Sequence, residues 1–185
     1  PHEPLFQMLI VSHELGHQLG ASHSWSGTGG ICSSGQYIAS SAYEPGSGST
    51  IMGYTGLCDS ADNLQRLWDP YFHSGSHDEI NSYVNGAGAS CRVLQPTGNT
   101  PPIVSAGSNY IIPARTPFIL TATGSDPDGD PVTYCWEQRD LGPQQPATGP
   151  GSTDNGSSPL FRSFPATKIP SRTFPKLSDI LNNTA

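Results

Sequence analysis

Charged side chains are scarce in this sequence. Asp, Glu, Lys and Arg make up 12 % of the 185 residues, and the formal net charge is −7. Nucleic acids and anionic membranes attract clusters of Lys and Arg, so an acidic chain with few of them argues against both partners. A run of apolar residues long enough to span a bilayer is also missing. The sequence therefore predicts neither nucleic-acid binding nor a transmembrane segment.

Cysteine is scarce as well. The four cysteines include no C-x-x-C pair, which argues against a metal site made of cysteines. In a chain rich in Ser, Thr and Gly, they favour an oxidising compartment. Glycine (21) and proline (18) are abundant instead. This composition suits strands, turns and long loops better than a helical bundle.

One pattern carries chemistry: H-E-x-x-H-x-x-G-x-x-H begins at His13. On a helix, positions i and i+4 share a face, so His13 and His17 can hold one metal ion between them. Gly20 tolerates a left-handed backbone, which lets the chain turn and bring His23 to the same ion. Three protein ligands and one position open to water are typical of a catalytic zinc site. The alternative interpretation is an amphipathic helix with two core histidines.

Glu14 stands next to the first of these histidines. From there its carboxylate can bind a water molecule at the metal, take a proton from it and later return that proton to the leaving amine. The residues I-M-G-Y at 51–54 provide a methionine turn downstream. Pattern and turn together form the metzincin signature.

On these residues the chain resembles the C-terminal part of a reprolysin-like (adamalysin-like) zinc metallopeptidase, of the kind found in secreted bacterial proteins. The resemblance implies a zinc cofactor, a protein or peptide substrate, and a place for Met52 beneath the metal. Ser24 departs from this family, because adamalysins usually carry Asp after the third histidine whereas matrixins carry serine. The departure indicates a divergent bacterial branch and leaves the metal ligands unchanged.

Tyr54 lies two residues beyond Met52. Astacins and serralysins resemble this chain at that spacing, and their tyrosine reaches the zinc and swings away when substrate binds. A phenol there can donate a hydrogen bond to the oxyanion of the reaction. The alternative interpretation is an aromatic side chain packed in the wall of the substrate pocket.

The four cysteines allow three full pairings. We predict a disulfide between Cys32 and Cys58, because both flank loops that leave the histidine site. In adamalysin-like enzymes the cysteine at the end of the catalytic domain pairs upstream of the zinc helix. Cys91 matches that place, so the resemblance implies a partner outside these residues. Cys135 is expected to be a buried thiol within a strand.

Residues 1–95 are expected to form the C-terminal part of a metzincin catalytic domain. The spacing of apolar residues predicts the zinc-site helix from Leu5 to Leu19. Ser76 and Glu79 form the capping-box pattern of a second helix. A complete metzincin carries an upper subdomain before the zinc helix, so the resemblance implies that the domain is incomplete here.

A Pro- and Thr-containing linker at 96–102 precedes a C-terminal domain, 103–185, in which short apolar runs alternate with turn residues. This spacing predicts an all-β sandwich. The segment resembles the immunoglobulin-like domains of polycystic-kidney-disease type that follow bacterial proteases, on the basis of Ala106-Gly107 and of an acidic turn before V-T-Y-x-W. The predicted fold class is therefore α+β, with an incomplete sandwich. The expected strands are Ile103–Val104, Tyr110–Ile112, Phe118–Thr121 and Val132–Trp136.

The acidic turn contains Asp126, Asp128 and Asp130. These carboxylates can converge on calcium, a hard cation that prefers oxygen ligands. The alternative is a tight turn whose geometry comes from Pro127 and Gly129.

We therefore expect a secreted, extracellular zinc endopeptidase in which Glu14 activates water at a metal held by three histidines. The expected cofactors are Zn²⁺ and, at the acidic turn, Ca²⁺. The alternative function is a non-catalytic immunoglobulin-like module for adhesion or substrate docking, attached to a protease remnant. The β-domain is expected to dock on a surface or a polymer.

Overall fold

A computed structural model describes residues 4–149 and 151–183. The chain divides into two compact units. The first comprises Pro1–Val93 and Glu137–Pro165, and the second comprises Leu94–Trp136 and Ala166–Ala185. The predicted boundary assigned 137–165 to the C-terminal domain, so the structure differs from the prediction for this segment.

Helices provide the regular structure of the first unit. Helix α1 spans Pro4–Gln18 and helix α2 spans Ser74–Asn85. Two short 3₁₀ helices lie at Gly30–Ser33 and Ala87–Cys91. The bounds of α1 agree with the predicted zinc-site helix to within one residue at each end.

The start of α2 differs from the prediction. His73 is the N-cap residue, and its Nδ1 accepts a hydrogen bond from the Gly75 N–H at 3.0 Å. Ser76 lies inside the helix, so the capping-box prediction is wrong. A histidine nitrogen, instead of a serine oxygen, satisfies a donor that the first turn leaves without a partner in the helix.

Two small clusters form the apolar core of the first unit. Ile51 and Met52 pack with Ala21 in one of them. The other contains Trp25, Cys32, Tyr54 and Cys58. The disulfide between Cys32 and Cys58 lies in this second cluster, which confirms the predicted pairing.

The segment Glu137–Pro165 contains neither helix nor strand where the structure describes it. Backbone hydrogen bonds hold it within the first unit instead. The Gln145 N–H donates to the Ser26 carbonyl at 3.2 Å, and the Thr148 N–H donates to the Ala61 carbonyl at 3.0 Å. This segment is rich in Pro, Gly and Ser, a composition that carries no indication of these remote partners.

The second unit contains four short strands and a short helix in its described residues. Strand β1 (Ile103–Ser105) pairs antiparallel with β3 (Thr123–Ser125), and β2 (Phe118–Thr121) pairs antiparallel with β4 (Ser171–Phe174). The register places Phe118 opposite Phe174. Helix α3 follows at Leu177–Leu181. These pairs make two two-stranded sheets.

The predicted sandwich is not shown by these residues. Two of the four expected strands are present, at 103–105 and 118–121, whereas 110–112 has no strand and 132–136 contributes one isolated bridge between Tyr134 and Thr167. Prolines that flank the missing strands remove backbone donors.

Cys135 is exposed, so its predicted burial is wrong. Tyr134 and Trp136 are both partly buried. Side chains of neighbouring residues in an extended chain point to opposite sides, so the Cys135 side chain points to solvent while those of Tyr134 and Trp136 point the other way. Across the described residues, no helix combines the length and the apolar character needed to cross a membrane.

Candidate metal centre

Two of the three histidines in the H-E-x-x-H-x-x-G-x-x-H pattern lie on one face of α1. His13 and His17 are one helical turn apart, and their Nε2 atoms are 3.1 Å apart. His23, in the loop after the helix, places its Nε2 3.1 Å from that of His17. In the part of the chain that the structure describes, this is the one group of His, Cys, Asp or Glu side chains that could share a metal ion.

The turn after α1 brings His23 back towards the helix. The Gly20 N–H donates to the His17 carbonyl at 3.0 Å, and the Ala21 N–H donates to the Gly16 carbonyl at 2.9 Å. These two bonds form a Schellman motif, which ends a helix with a left-handed residue. Gly20 is that residue, with φ +90°. A side chain other than glycine would be strained there.

Each histidine ring places its Nδ1 against a backbone carbonyl oxygen, which can only accept. Nδ1 therefore carries the proton, and Nε2 of the neutral ring presents a lone pair. Backbone carbonyls in this position orient metal-ligating histidines. The contacts join His13 to Ile51 (2.7 Å), His17 to Ala21 (2.8 Å) and His23 to Gln36 (2.9 Å).

This donor set fits a zinc ion. Lone pairs at the observed Nε2 separation of 3.1 Å repel one another unless a cation lies between them. Tetrahedral ligands at about 2.0–2.1 Å from zinc are about 3.3 Å apart, which is close to the observed spacing. Burial lowers the pKa of His13 and the pKa of His23, so both rings stay neutral and able to bind a metal.

Glu14 lines the same cleft as the histidines. The cleft is open and has a volume of about 450 Å³. Glu14 is exposed on α1, so its carboxylate is accessible to water within the cleft. Apolar side chains form much of the remaining wall and would suit the apolar parts of a substrate; they include Ile10, Ile31, Leu57 and Trp68.

Tyr54 borders the histidines. Its ring is T-shaped against His23, with the centroids 4.5 Å apart, and its hydroxyl donates to Oε1 of Gln36. Burial and, second, the charge of Glu14 raise the pKa of Tyr54, so the phenol keeps its proton. Tyr54 is therefore a protonated hydrogen-bond donor at the edge of the site, and Gln36 is the acceptor of its hydrogen bond.

Met52 lies in the core against α1. It is fully buried and packs with Ala21 and Ile51. A Cβ atom at Gly16 would lie 2.5 Å from the Met52 sulfur, so any larger residue there would force the buried Met52 side chain to move. Gly16 lies between the two helical histidines, which means that the methionine turn supports the ligand-bearing turn of the helix directly.

The acidic turn of the second unit is closed on itself. Oδ1 of Asp126 accepts hydrogen bonds from the Asp128 N–H at 2.8 Å and the Asp130 N–H at 3.4 Å. The Asp128 carboxylate accepts one from the Thr100 N–H. Bonds of this kind are typical of Asx turns. The three carboxylates are not a metal-binding group among the described residues, so nothing there supports the expected calcium.

Gln36 was not predicted at the site, and Glu79 was predicted in a different role. The Gln36 carbonyl accepts from His23, while its side chain accepts from Tyr54. The Glu79 carboxylate, expected in a capping box, accepts from the Ser22 N–H at 3.0 Å and so holds the turn before His23. No local signal indicates these contacts, because each partner is remote in sequence.

Glu44 was missed as well, although a signal exists. Its side chain is only 1 % exposed, and its carboxylate accepts from Ser24 Oγ at 2.6 Å and from the Ser49 N–H at 2.7 Å. Glu44 is the only residue of formal charge between His23 and Asp59. A lone acidic residue in a long uncharged loop indicates a buried structural role when backbone donors surround it.

Three histidines that could share a metal ion, beside a glutamate in an open cleft, form the kind of arrangement that metal-dependent hydrolases use. Residues 2–92 match the model of the family described as metallo-peptidase family M12B, reprolysin-like. This match supports a metzincin-like domain over that part of the chain, and with it a metalloprotease that acts on proteins or peptides and uses a metal, usually zinc. No curated protein and no solved structure matches the chain.

Proposed function

We propose that the chain is a secreted, zinc-dependent endopeptidase. The observation that carries the proposal is the convergence of three Nε2 lone pairs, each oriented by a carbonyl, beside Glu14. The match of residues 2–92 to a reprolysin-like metallopeptidase family supports it. The disulfide between Cys32 and Cys58 supports an extracellular location.

In this proposal His13, His17 and His23 hold the ion. A bound zinc ion supplies a Lewis acid that polarises the scissile carbonyl and acidifies water. Glu14 takes the proton from the attacking water and then gives it to the leaving amine. Its exposure in the cleft suits a base that must reach both water and substrate.

Tyr54 provides a hydrogen-bond donor for the oxyanion. Its hydroxyl is bonded to Gln36 before substrate arrives, and the oxyanion would replace the Gln36 oxygen as acceptor. The hydroxyl would then have a partner in both states, so no desolvated donor is left unpaired. Donation to developing negative charge stabilises the transition state more than the ground state.

The alternative function assigns the activity of the protein to an immunoglobulin-like docking module beside a protease remnant. Both proposals place the C-terminal part on a surface or a polymer. They differ in whether zinc and Glu14 are needed for activity.

The test is Glu14→Gln in the 185-residue chain. Zinc content, measured by elemental analysis, should stay at one ion per chain, whereas cleavage of a fluorogenic peptide should fall by about 10²- to 10⁴-fold because the base is lost. Asp140→Asn is the control, since it also removes one exposed carboxylate, away from the cleft.

Three results would contradict parts of the proposal. A folded parent chain without zinc would contradict the metal site. Cleavage by Glu14→Gln at the parental rate would remove Glu14 from its role. A zinc-loaded parent that cleaves no peptide would favour the docking alternative.

A further inference from the structure

The proposed metal site depends on two loop segments that approach each other. One segment continues from His23 into Ser24. The other, residues 49–52, contains Ile51, whose carbonyl orients His13. The Ser24 N–H donates to the Met52 carbonyl at 3.1 Å, which joins the two segments directly.

Glu44 lies where these segments meet. Its Oε1 accepts from Ser24 Oγ at 2.6 Å and from the Thr50 hydroxyl. Its Oε2 accepts from the backbone N–H groups of Ser49 at 2.7 Å and Thr50 at 3.1 Å. One carboxylate therefore satisfies donors on both ligand-supporting segments.

The backbone of Glu44 strengthens the same connection. Its N–H donates to the Ser24 carbonyl at 2.8 Å, and its carbonyl accepts from the Ser26 N–H at 3.0 Å. Because the residue is only 1 % exposed, water does not compete for these bonds. A buried carboxylate with this many donors fixes the position of every group that donates to it.

We propose that Glu44 is a positioning residue of the metal centre. It sets the direction of His23 through Ser24, and it sets the place of the Ile51 carbonyl, and hence of His13, through Ser49 and Thr50. This inference rests on the metal site of the proposed function. It adds a determinant of ligand geometry that lies outside the H-E-x-x-H-x-x-G-x-x-H pattern.

Asp62 provides a matched comparison within the same unit. It is also 1 % exposed, and its carboxylate accepts from backbone N–H groups of Thr28 at 2.8 Å, Gly29 at 2.6 Å and Ala147 at 3.0 Å. None of these three partners is a metal-site histidine, and none is adjacent in sequence to one of those histidines. A purely structural role for Glu44 would make the two carboxylates equivalent in their effect on metal binding.

The experiment compares Glu44→Gln with Asp62→Asn in the full 185-residue chain. Both changes keep side-chain size, and the hydroxyls of Ser24 and Thr50 can rotate to accept from a new amide. Zinc affinity is measured by competition with a chromophoric chelator, and ligand geometry by the visible d–d absorption of the Co²⁺-loaded protein. Urea unfolding of the metal-free chains measures the stability change separately.

We expect both variants to be less stable without metal. Only Glu44→Gln should weaken zinc binding, by about 10- to 100-fold, because groups that orient metal ligands have effects of this size. Its Co²⁺ spectrum should also differ from that of the parent, while Asp62→Asn keeps the parental spectrum and affinity. Glu44→Asp, which keeps the charge but shortens the reach by one methylene, should weaken zinc binding as well.

Parental affinity and spectrum in both Glu44 variants would overturn the inference. Equal losses of zinc affinity in Glu44→Gln and Asp62→Asn would also overturn it, because they would indicate a general effect of instability. A parental chain that binds neither zinc nor Co²⁺ would instead overturn the proposed function, and this inference with it.

Discussion

The two compact units differ in what they bury. The first unit buries charged or titratable side chains with partners, among them Glu44, Asp62 and His73. In the described part of the second unit, the buried residues include Ala122 and Phe174, while Ile111 is fully exposed and Val104 is 68 % exposed.

This difference shows how a chain with little regular structure can still specify one arrangement. Loops leave many backbone N–H groups without partners in a helix or sheet. A buried carboxylate accepts several of them at once, as Asp62 does for Thr28, Gly29 and Ala147. The second unit relies on short strand pairs and on a few apolar contacts, which specify a position less strongly.

Metal removal should separate the two units most clearly. His17→Ala is expected to lose zinc and to lower the free energy of unfolding of the first unit by several kcal/mol. The reason is that a metal bound only by the folded state adds its binding free energy to stability. Structural zinc contributes about 10–16 kcal/mol in zinc-finger peptides. Hydrogen exchange measured by mass spectrometry should show faster exchange around residues 24–58 and unchanged exchange around 118–125. His77→Ala, at an exposed histidine outside the cluster, is the control. Equal loss of protection in both units would contradict an effect of the metal that is confined to the first unit.

The disulfide should have the next largest effect. Replacing Cys32 and Cys58 together by serine opens a loop with a sequence separation of 26. The chain-entropy model gives about 3.5 kcal/mol for a loop of that length. Urea unfolding followed by tryptophan fluorescence would measure the loss, in a Trp136→Phe background that leaves only Trp25 and Trp68 of the first unit as tryptophans. Cys91→Ser, at an exposed cysteine outside any disulfide, should leave the midpoint unchanged, and a similar shift there would refute the assignment.

Phe174→Ala tests the second unit on its own. Phe174 is 5 % exposed and stacks on Phe118, with ring centroids 5.0 Å apart. Deleting a buried phenylalanine costs about 3–5 kcal/mol, and we expect the lower value because few other side chains there are buried. Hydrogen exchange at residues 118–121 should accelerate while zinc content stays the same. Ile111→Ala, at a fully exposed side chain, should change neither, and a comparable loss in that control would contradict the assigned core.

The sequence predicts best those parts whose cause is local. The i and i+4 spacing of His13 and His17 and the left-handed glycine at 20 depend on a few neighbouring residues. The structure places both features where these local rules predict them. The prediction of the disulfide between Cys32 and Cys58 depended only on the expectation that both cysteines flank loops leaving the same site.

The remainder depends on partners that are distant in the sequence. Glu79 pairs with the Ser22 N–H, 57 residues away, and its Ser-x-x-Glu pattern suggests a closer but wrong partner. Residues 137–165 are rich in turn-forming Pro, Gly and Ser, and their place in the first unit follows from bonds to residues such as Ser26 and Ala61. The spacing of apolar residues predicted strands at 110–112 and 132–136, but it carries no information on which segment of the chain would pair with them.

The smallest effect concerns the turn that joins helix and third histidine. Gly20→Ala places a Cβ atom 2.8 Å from Cβ of Tyr83 at φ +90°. The left-handed backbone alone costs about 1–2 kcal/mol for a residue with a side chain. Gly35→Ala is the matched control, because φ is +79° there and nothing lies within 4 Å of the added atom.

Urea unfolding should therefore show a loss at both glycines, and the excess at Gly20 measures the contact with Tyr83. Zinc affinity is compared with that of the parent chain, and it should fall in Gly20→Ala because Gly20 lies between the ligands His17 and His23. A Gly20→Ala chain with the stability of Gly35→Ala and the zinc affinity of the parent would mean that the turn adapts without moving His23. In that case the bonds to Ser22 and Ser24, made by Glu79 and Glu44, would determine the position of the third ligand more than the turn itself.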